Sequence, residues 1–190
     1  LVDEHVARVD SGRVYADDGT EYEADVLVIA TGFDVLNFIT TYEAKGRSGA
    51  SLADQWEHDN AQAYLGTVVP NFPNFFTLYG PNLQPGHGGS LIFVVEMQVR
   101  YIMDMIQKMI DQNIGSVEIR QEVHDGYNQD VDQAHEQMVW THPGMTSYYR
   151  NDRGRIVVNS PWRNVDFYEM TREANLSDYL IEPVSELVAD

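Results

Sequence analysis

Residues 81–102, PNLQPGHGGSLIFVVEMQVRYI, place three glycines within four positions directly in front of a strongly apolar helix pattern, and this junction constrains the fold more than any other stretch. From Leu91 the apolar positions Leu91, Val94, Val95, Ile102, Met105, Ile106 and Met109 follow the i, i+3, i+4 spacing of one helical face, which predicts a helix of more than five turns. The first N–H groups of such a helix lack internal acceptors, and its aligned peptide dipoles leave partial positive charge at that end. Glycines bear no Cβ, so a bare loop leading into that end lets an anionic or electron-rich ligand atom approach the main chain. The same loop also serves as a tight turn that caps a core helix, and the local sequence leaves both readings open.

Two further stretches deliver apolar runs into glycine turns. VLVIATGF, residues 26–33, has the continuous apolar run expected of a strand buried on both faces of a parallel sheet. FFTLYG, residues 75–80, is expected to be another short strand, held extended by Pro70 and Pro73 upstream. Strand, glycine loop and long helix together predict an α/β fold with a ligand outside the carboxyl end of the strand. Residues 4–25 alternate apolar and polar and are punctuated by Ser11-Gly12 and Asp18-Gly19, as β-hairpins require. Ser51 is the expected N-cap of a short helix over 52–59, packed down by Trp56 and Tyr64. GSVEIR, residues 115–120, reads as a strand, and residues 122–140 place Val123, Tyr127, Val131, Ala134, Met138 and Val139 on one helical face. A turn at Asp152 to Gly154 precedes an apolar strand at 156–158.

Composition narrows the function. The formal charge of −18 argues against nucleic acid, whose affinity rests on Lys and Arg neutralising phosphates. Five of the twelve basic residues, Arg150, Arg153, Arg155, Arg163 and Arg172, fall in the last quarter, a cluster able to hold a phosphate-bearing small ligand but read first as solvated arginines balancing acidic neighbours. Without cysteine there is no disulfide framework and no thiolate chemistry. No window approaches the ~18 apolar residues of a membrane span, and the expected location is cytoplasmic. The Asn175-Leu-Ser177 sequon reads as chance. None of the six histidines has convincing metal-ligand spacing; His5, His58 and His124 are expected to be exposed, and only His87, inside the glycine loop, occupies a functional place. There is no Gly-x-Ser-x-Gly elbow and no P-loop. The glycine turns contain no acid, base or nucleophile at their centre, so no catalytic residue and no metal ligand is assigned. Such a site suits chemistry that belongs to a bound cofactor.

DVLVIATGFD (25–34), AYLGTVVPNFPNFFTLYGPN (63–82), GHGGS (86–90) and NSPWRNVDFYEMTR (159–172) together resemble the carboxyl-terminal part of class B flavin monooxygenases, with the strongest likeness to the Baeyer-Villiger group and 4-hydroxyacetophenone monooxygenase-like members. The resemblance implies a two-dinucleotide-binding-domain flavoprotein. Residues 1–34 would end the NADPH-binding domain, 35–118 would be the returning part of the FAD-binding domain, and 119–190 would cover the cleft. It implies FAD and NADPH as cofactors, with a ketone and O2 as substrates of a peroxyflavin that yields an ester or lactone. Thr31 and Gly32 would lie at the interdomain turn near the flavin; Asn82, Leu83, Gly86, His87, Gly88, Gly89 and Ser90 would line its ring. Tyr148 falls where many relatives carry a tryptophan over the nicotinamide, and Leu83-Gln84-Pro85 departs from smaller or more polar residues. The family's Gly-x-Gly-x-x-Gly motifs and catalytic arginine would lie upstream of Leu1, so the chain alone is expected to be inactive. N- or S-oxygenation by a sister enzyme, or a non-catalytic interaction module that lost its cofactor, are the competing expectations. Apolar surfaces at 26–29 and 75–78 are expected to be covered by rearrangement or by self-association.

Overall fold

The computed structural model describes residues 3–39, 42–86, 88–145 and 147–184. It divides into two compact units, 1–33 and 34–190.

The first unit is an antiparallel three-stranded sheet of β1 (Val6–Asp10), β2 (Arg13–Ala16) and β3 (Glu21–Glu23). Asp10 pairs with Arg13 across the two-residue loop Ser11-Gly12, where both residues take positive φ (47° and 81°). Two left-handed residues give a turn whose twist matches that of the flanking strands. Among its described hydrophobic residues only Ala16 is buried. Residues 26–30 are a correction to the expected buried strand: they form no strand, and Val26, Val28 and Ile29 are 78–79% exposed. A parallel strand needs ladder partners on its edges, and no described residue pairs with this run.

The second unit is built around α2 (Leu91–Asp111), a helix of 21 residues. Its buried positions are Val94, Met97, Gln98, Tyr101 and Met105. The face is therefore rotated from the expected one, and Leu91 is 49% exposed. Against α2 lie β5 (Ile114–Ile119) and β7 (Tyr179–Pro183), an antiparallel pair whose Val117, Ile119 and Tyr179 complete the main core. Full burial of each such side chain contributes ~1.5–3 kcal/mol. Gln98, in the middle of this face, has no exposed surface; its amide donates to the carbonyls of Gly66 (3.1 Å) and Thr77 (3.2 Å) and to the Thr67 hydroxyl (2.8 Å), and its oxygen accepts from the Tyr79 N–H (2.7 Å). One side chain thus ties α2 to residues 66–67 and 77–79. Residues 75–79 form no strand, a second correction: the backbone groups of Thr77 and Tyr79 bond to Thr67 and Gln98 rather than to a ladder.

A second core gathers Leu52, Trp56, Ala61, Ala63, Val69, Phe72 and Val157 beneath α1 (Leu52–Gln55). Ser51 caps α1 as expected, its hydroxyl accepting from the Asp54 N–H at 3.1 Å. Trp56 packs there, whereas Tyr64 belongs to the main core and meets Tyr127 edge to face. α3 (Gln121–His135) ends earlier than expected and buries His124, Asn128, Val131 and His135, a mostly polar face. His124 is thus buried rather than exposed, its Nδ1 2.8 Å from the Asp125 carboxylate. β4 (Gln84–Pro85) pairs in parallel with β6 (Asn159–Ser160), so the strand expected over 156–158 lies slightly later. α4 (Asn164–Met170) follows. No helix among the described residues is long and apolar enough to cross a membrane.

Burial raises the ionisation of five of the eleven tyrosines: Tyr79 above its ordinary 10.0, Tyr64 to about 12, and Tyr101, Tyr127 and Tyr179 further. Their folded values exceed the unfolded one, so this contribution to stability is intact below pH 10 and is lost as pH rises through the folded values. Absorbance titration at 295 nm is expected to show the four raised furthest, Tyr64, Tyr101, Tyr127 and Tyr179, resisting ionisation until the chain unfolds. Uniform titration of all eleven near pH 10 in a folded chain would contradict that burial.

Candidate functional site

The segment that enters the glycine loop is held from below by buried polar groups. Asn82 takes a left-handed φ of 58° and is 2% exposed. Its N–H donates to the Val157 carbonyl (2.8 Å) and its amide nitrogen to the carbonyls of Ile156 (2.8 Å) and Asn159 (3.2 Å). Its oxygen accepts from the Arg155 guanidinium at 3.2 Å. Leu83, 1% exposed, points into the main core. Both side chains therefore face the interior and serve as the anchor of the loop.

Arg155 continues the network. It donates to the Asp132 carboxylate (2.8 Å), the Ala61 carbonyl (3.0 Å) and the Asn128 side chain (3.3 Å). Burial pushes the Asp132 carboxyl up and the Arg155 guanidinium down, each partly offset by the charge of the other. A cleft of about 430 Å³ runs beside this pair, lined by Asp132, His135, Glu136, Thr141, Arg153, Gly154, Arg155 and Ile156. The other C-terminal arginines are paired at the surface: Arg153 with Glu57, Arg163 with Asp166 at 2.7 Å, and Arg172 with Glu169 at 3.6 Å. Arg150 reaches back to the Trp140 carbonyl at 2.8 Å.

The glycines of the loop have separate reasons for being glycine. A Cβ on Gly86 would lie 2.4 Å from the Trp140 ring. One on Gly89 would lie 2.4 Å from the Asn164 amide. Only at Gly88, with φ +86°, would a Cβ meet nothing within 4 Å; its face of the loop is open. Ser90 stands at the N-cap of α2 in extended conformation, yet its side chain makes no capping bond and no acidic residue stands in the first turn. That turn is apolar and open as well: Leu91 is 49%, Ile92 64% and Phe93 40% exposed. An uncapped helix terminus carries about half a positive charge, here next to the one glycine with free space before it. His87 lies outside the described residues.

Three further expected site residues are exposed. Thr31 and Gly32 belong to the first unit and are exposed, Gly32 with φ +78°. Tyr148 is 62% exposed and stacks on Tyr149 with centroids 4.1 Å apart, its hydroxyl donating to that of Tyr149 at 2.9 Å. Sequence reasoning gave no role to His135 or Trp140 and read Arg155 as solvated, whereas its side chain is 11% exposed and tied to Asp132, Ala61, Asn82 and Asn128. Only the glycine spacing hinted that something packs on the loop, and nothing local identified the partner. Among the described residues no three His, Asp or Glu side chains are grouped to hold a metal ion.

No family model matches the chain. An uncharacterized monooxygenase of Sinorhizobium fredii is 46% identical over 183 residues, covering 96% of this chain and 28% of that protein. A Baeyer-Villiger monooxygenase of Pseudomonas aeruginosa is 30% identical over 180 residues, 94% of this chain and 34% of its own length. Among solved structures, OTEMO in complex with FAD and NADP superposes with a TM-score of 0.78 at 22% identity, over 95% of this chain and 34% of that one. The fold is that of these enzymes, and this chain spans about a third or less of the length of the proteins it matches.

Proposed function

Because this chain belongs, over nearly its whole length, with the Baeyer-Villiger monooxygenases, we propose that it is the carboxyl-terminal segment of an FAD- and NADPH-dependent enzyme that inserts one oxygen atom of O2 beside a ketone carbonyl. The product would be an ester or lactone. The observation that carries this reading is the open main chain at Gly88 beside the uncapped, apolar first turn of α2.

These residues fit a flavin ring. Gly88 admits close approach of a flat ligand, Leu91, Ile92 and Phe93 offer it apolar contact, and the α2 terminus favours negative charge on its electron-rich edge. Bound FAD, reduced by NADPH, supplies the activation of O2. The chain's own part is to orient the ring, keep water from it and stabilise charge. On this reading residues 1–34 close the NADPH-binding domain with Thr31 and Gly32 at the turn, 35–118 return to the FAD-binding domain, and 119–190, with Tyr148 toward the nicotinamide, cover the cleft.

The test is the visible absorption spectrum of the purified chain after incubation with excess FAD and desalting. Retained flavin, or quenching of FAD fluorescence on titration, is the expected result; FAD that stays free at every protein concentration would overturn the assignment of the loop. The sequence holds no Gly-x-Gly-x-x-Gly, so NADPH oxidation with ketones is expected to stay at background even when flavin binds. The exposed residues 26–29 and Phe33, at 90%, favour self-association, which sizing with light scattering would read as dimers or larger species. A strictly monomeric particle at high concentration would contradict this.

A further inference from the structure

The loop touches a residue more than fifty positions downstream. A Cβ on Gly86 would sit 2.4 Å from Cη2 and 2.9 Å from Cζ3 of Trp140, so the edge of the indole bears directly on the loop main chain. We propose that Trp140 is a positioning residue for the 86–90 loop, itself held in place by His135. This rests on the reading of that loop as the flavin site.

The indole also has partners outside the loop. Its Nε1–H donates to His135 Nδ1 at 2.8 Å, and the two rings stand edge to face with centroids 5.9 Å apart. The Trp140 carbonyl accepts from Arg150, and the Thr141 hydroxyl donates to the His135 carbonyl at 2.6 Å, closing the turn that carries the tryptophan. An indole N–H only donates, so Nδ1 presents its lone pair and the neutral imidazole carries its proton on Nε2. That protonated Nε2 packs 3.4 Å from the Asn82 amide nitrogen, a van der Waals contact between two donors at the entry to the loop. One imidazole at the end of α3 thus meets the loop's anchor directly and its first glycine through Trp140. The approach to Gly88 is bounded by Gly86 on Trp140, held from the end of α3, and by Gly89 on Asn164.

The test uses the 15N-labelled chain, whose three tryptophans give three indole N–H resonances, assigned with Trp140→Phe. His135→Ala removes the acceptor, whereas His135→Asn places a carboxamide oxygen near the position of Nδ1. The expected result is that His135→Ala moves the Trp140 indole resonance and the Gly88, Gly89 and Leu91 amides by several linewidths, leaves those of Trp56 and Trp162 in place, and is largely reversed by His135→Asn. Gly86→Ala should disturb the same amides in the wild-type background but add little in Trp140→Ala, where the ring it strikes is gone. Where FAD binds, Trp140→Phe weakens binding about tenfold. Folded His135→Ala and Trp140→Phe variants with loop amides unmoved would overturn the proposal. Failure of every form to bind FAD would instead overturn the flavin reading, the amide shifts still deciding whether Trp140 positions the loop.

Discussion

Replacing Gln98 with leucine is expected to destabilise the second unit by about 2–4 kcal/mol, because it removes four hydrogen bonds and strands a carbonyl and an N–H without a large change in volume. The amide of Gln98 is the common partner of Gly66, Thr67, Thr77 and Tyr79, and no water reaches it. Leucine fills the space but leaves the Thr77 carbonyl and the Tyr79 N–H without their partner, whereas the Gly66 carbonyl keeps the Thr77 hydroxyl and the Thr67 hydroxyl keeps the Leu65 carbonyl. Urea denaturation should show a lower midpoint with an unchanged slope, and Tm should fall by roughly 10 °C. A loss below about 1 kcal/mol would mean that residues 77–80 are held by packing alone.

Arg155→Met is expected to cost about 3 kcal/mol, since removing one member of a buried ion pair leaves the other uncompensated. Asp132 remains 44% exposed on its side chain, which keeps the estimate at the low end. The effect carries a pH signature. Burial already raises the Asp132 carboxyl above its ordinary value, and the variant removes the guanidinium that offsets this. A carboxyl raised in the folded state binds its proton more tightly there than in the unfolded chain. Its contribution is therefore whole below the ordinary carboxylate range and lost as pH rises through the raised value. Stability of Arg155→Met should fall more steeply with rising pH than that of the wild type, and Asp132→Asn in the same background should recover part of the loss. A pH-independent deficit would assign the cost to the contacts with Asn82, Asn128 and Ala61 instead.

α2 was legible because its length and spacing leave no other element that fits. Its buried face was misplaced by about one position in the turn because the reading weighed apolar residues only, while Gln98 is buried by satisfying backbone groups far away in sequence. The same bias misplaced the inner face of α3, read as Val123, Tyr127, Val131 and Ala134 but formed by His124, Asn128, Val131 and His135. The runs at 26–30 and 75–79 show the converse: continuous apolar composition sets a preference for extended chain, but a strand exists only where another strand offers its edge. In the candidate site, the glycine loop and the helix start were readable from spacing. That Gly86 faces Trp140, Gly89 faces Asn164 and only Gly88 is open depends on contacts between distant segments, which no local pattern encodes.

The anchoring of Asn82 on the carbonyls of Ile156 and Asn159 and on the guanidinium of Arg155 has a consequence for synthesis. A ribosome extends the chain by ~5–20 residues per second, so Asn82 leaves it several seconds before any of its three partners exists. During that interval α2 can form locally, but the loop before it has no fixed entry. The site must therefore assemble late, after the last quarter of the chain has emerged, which makes this the window in which a nascent chain most needs a chaperone.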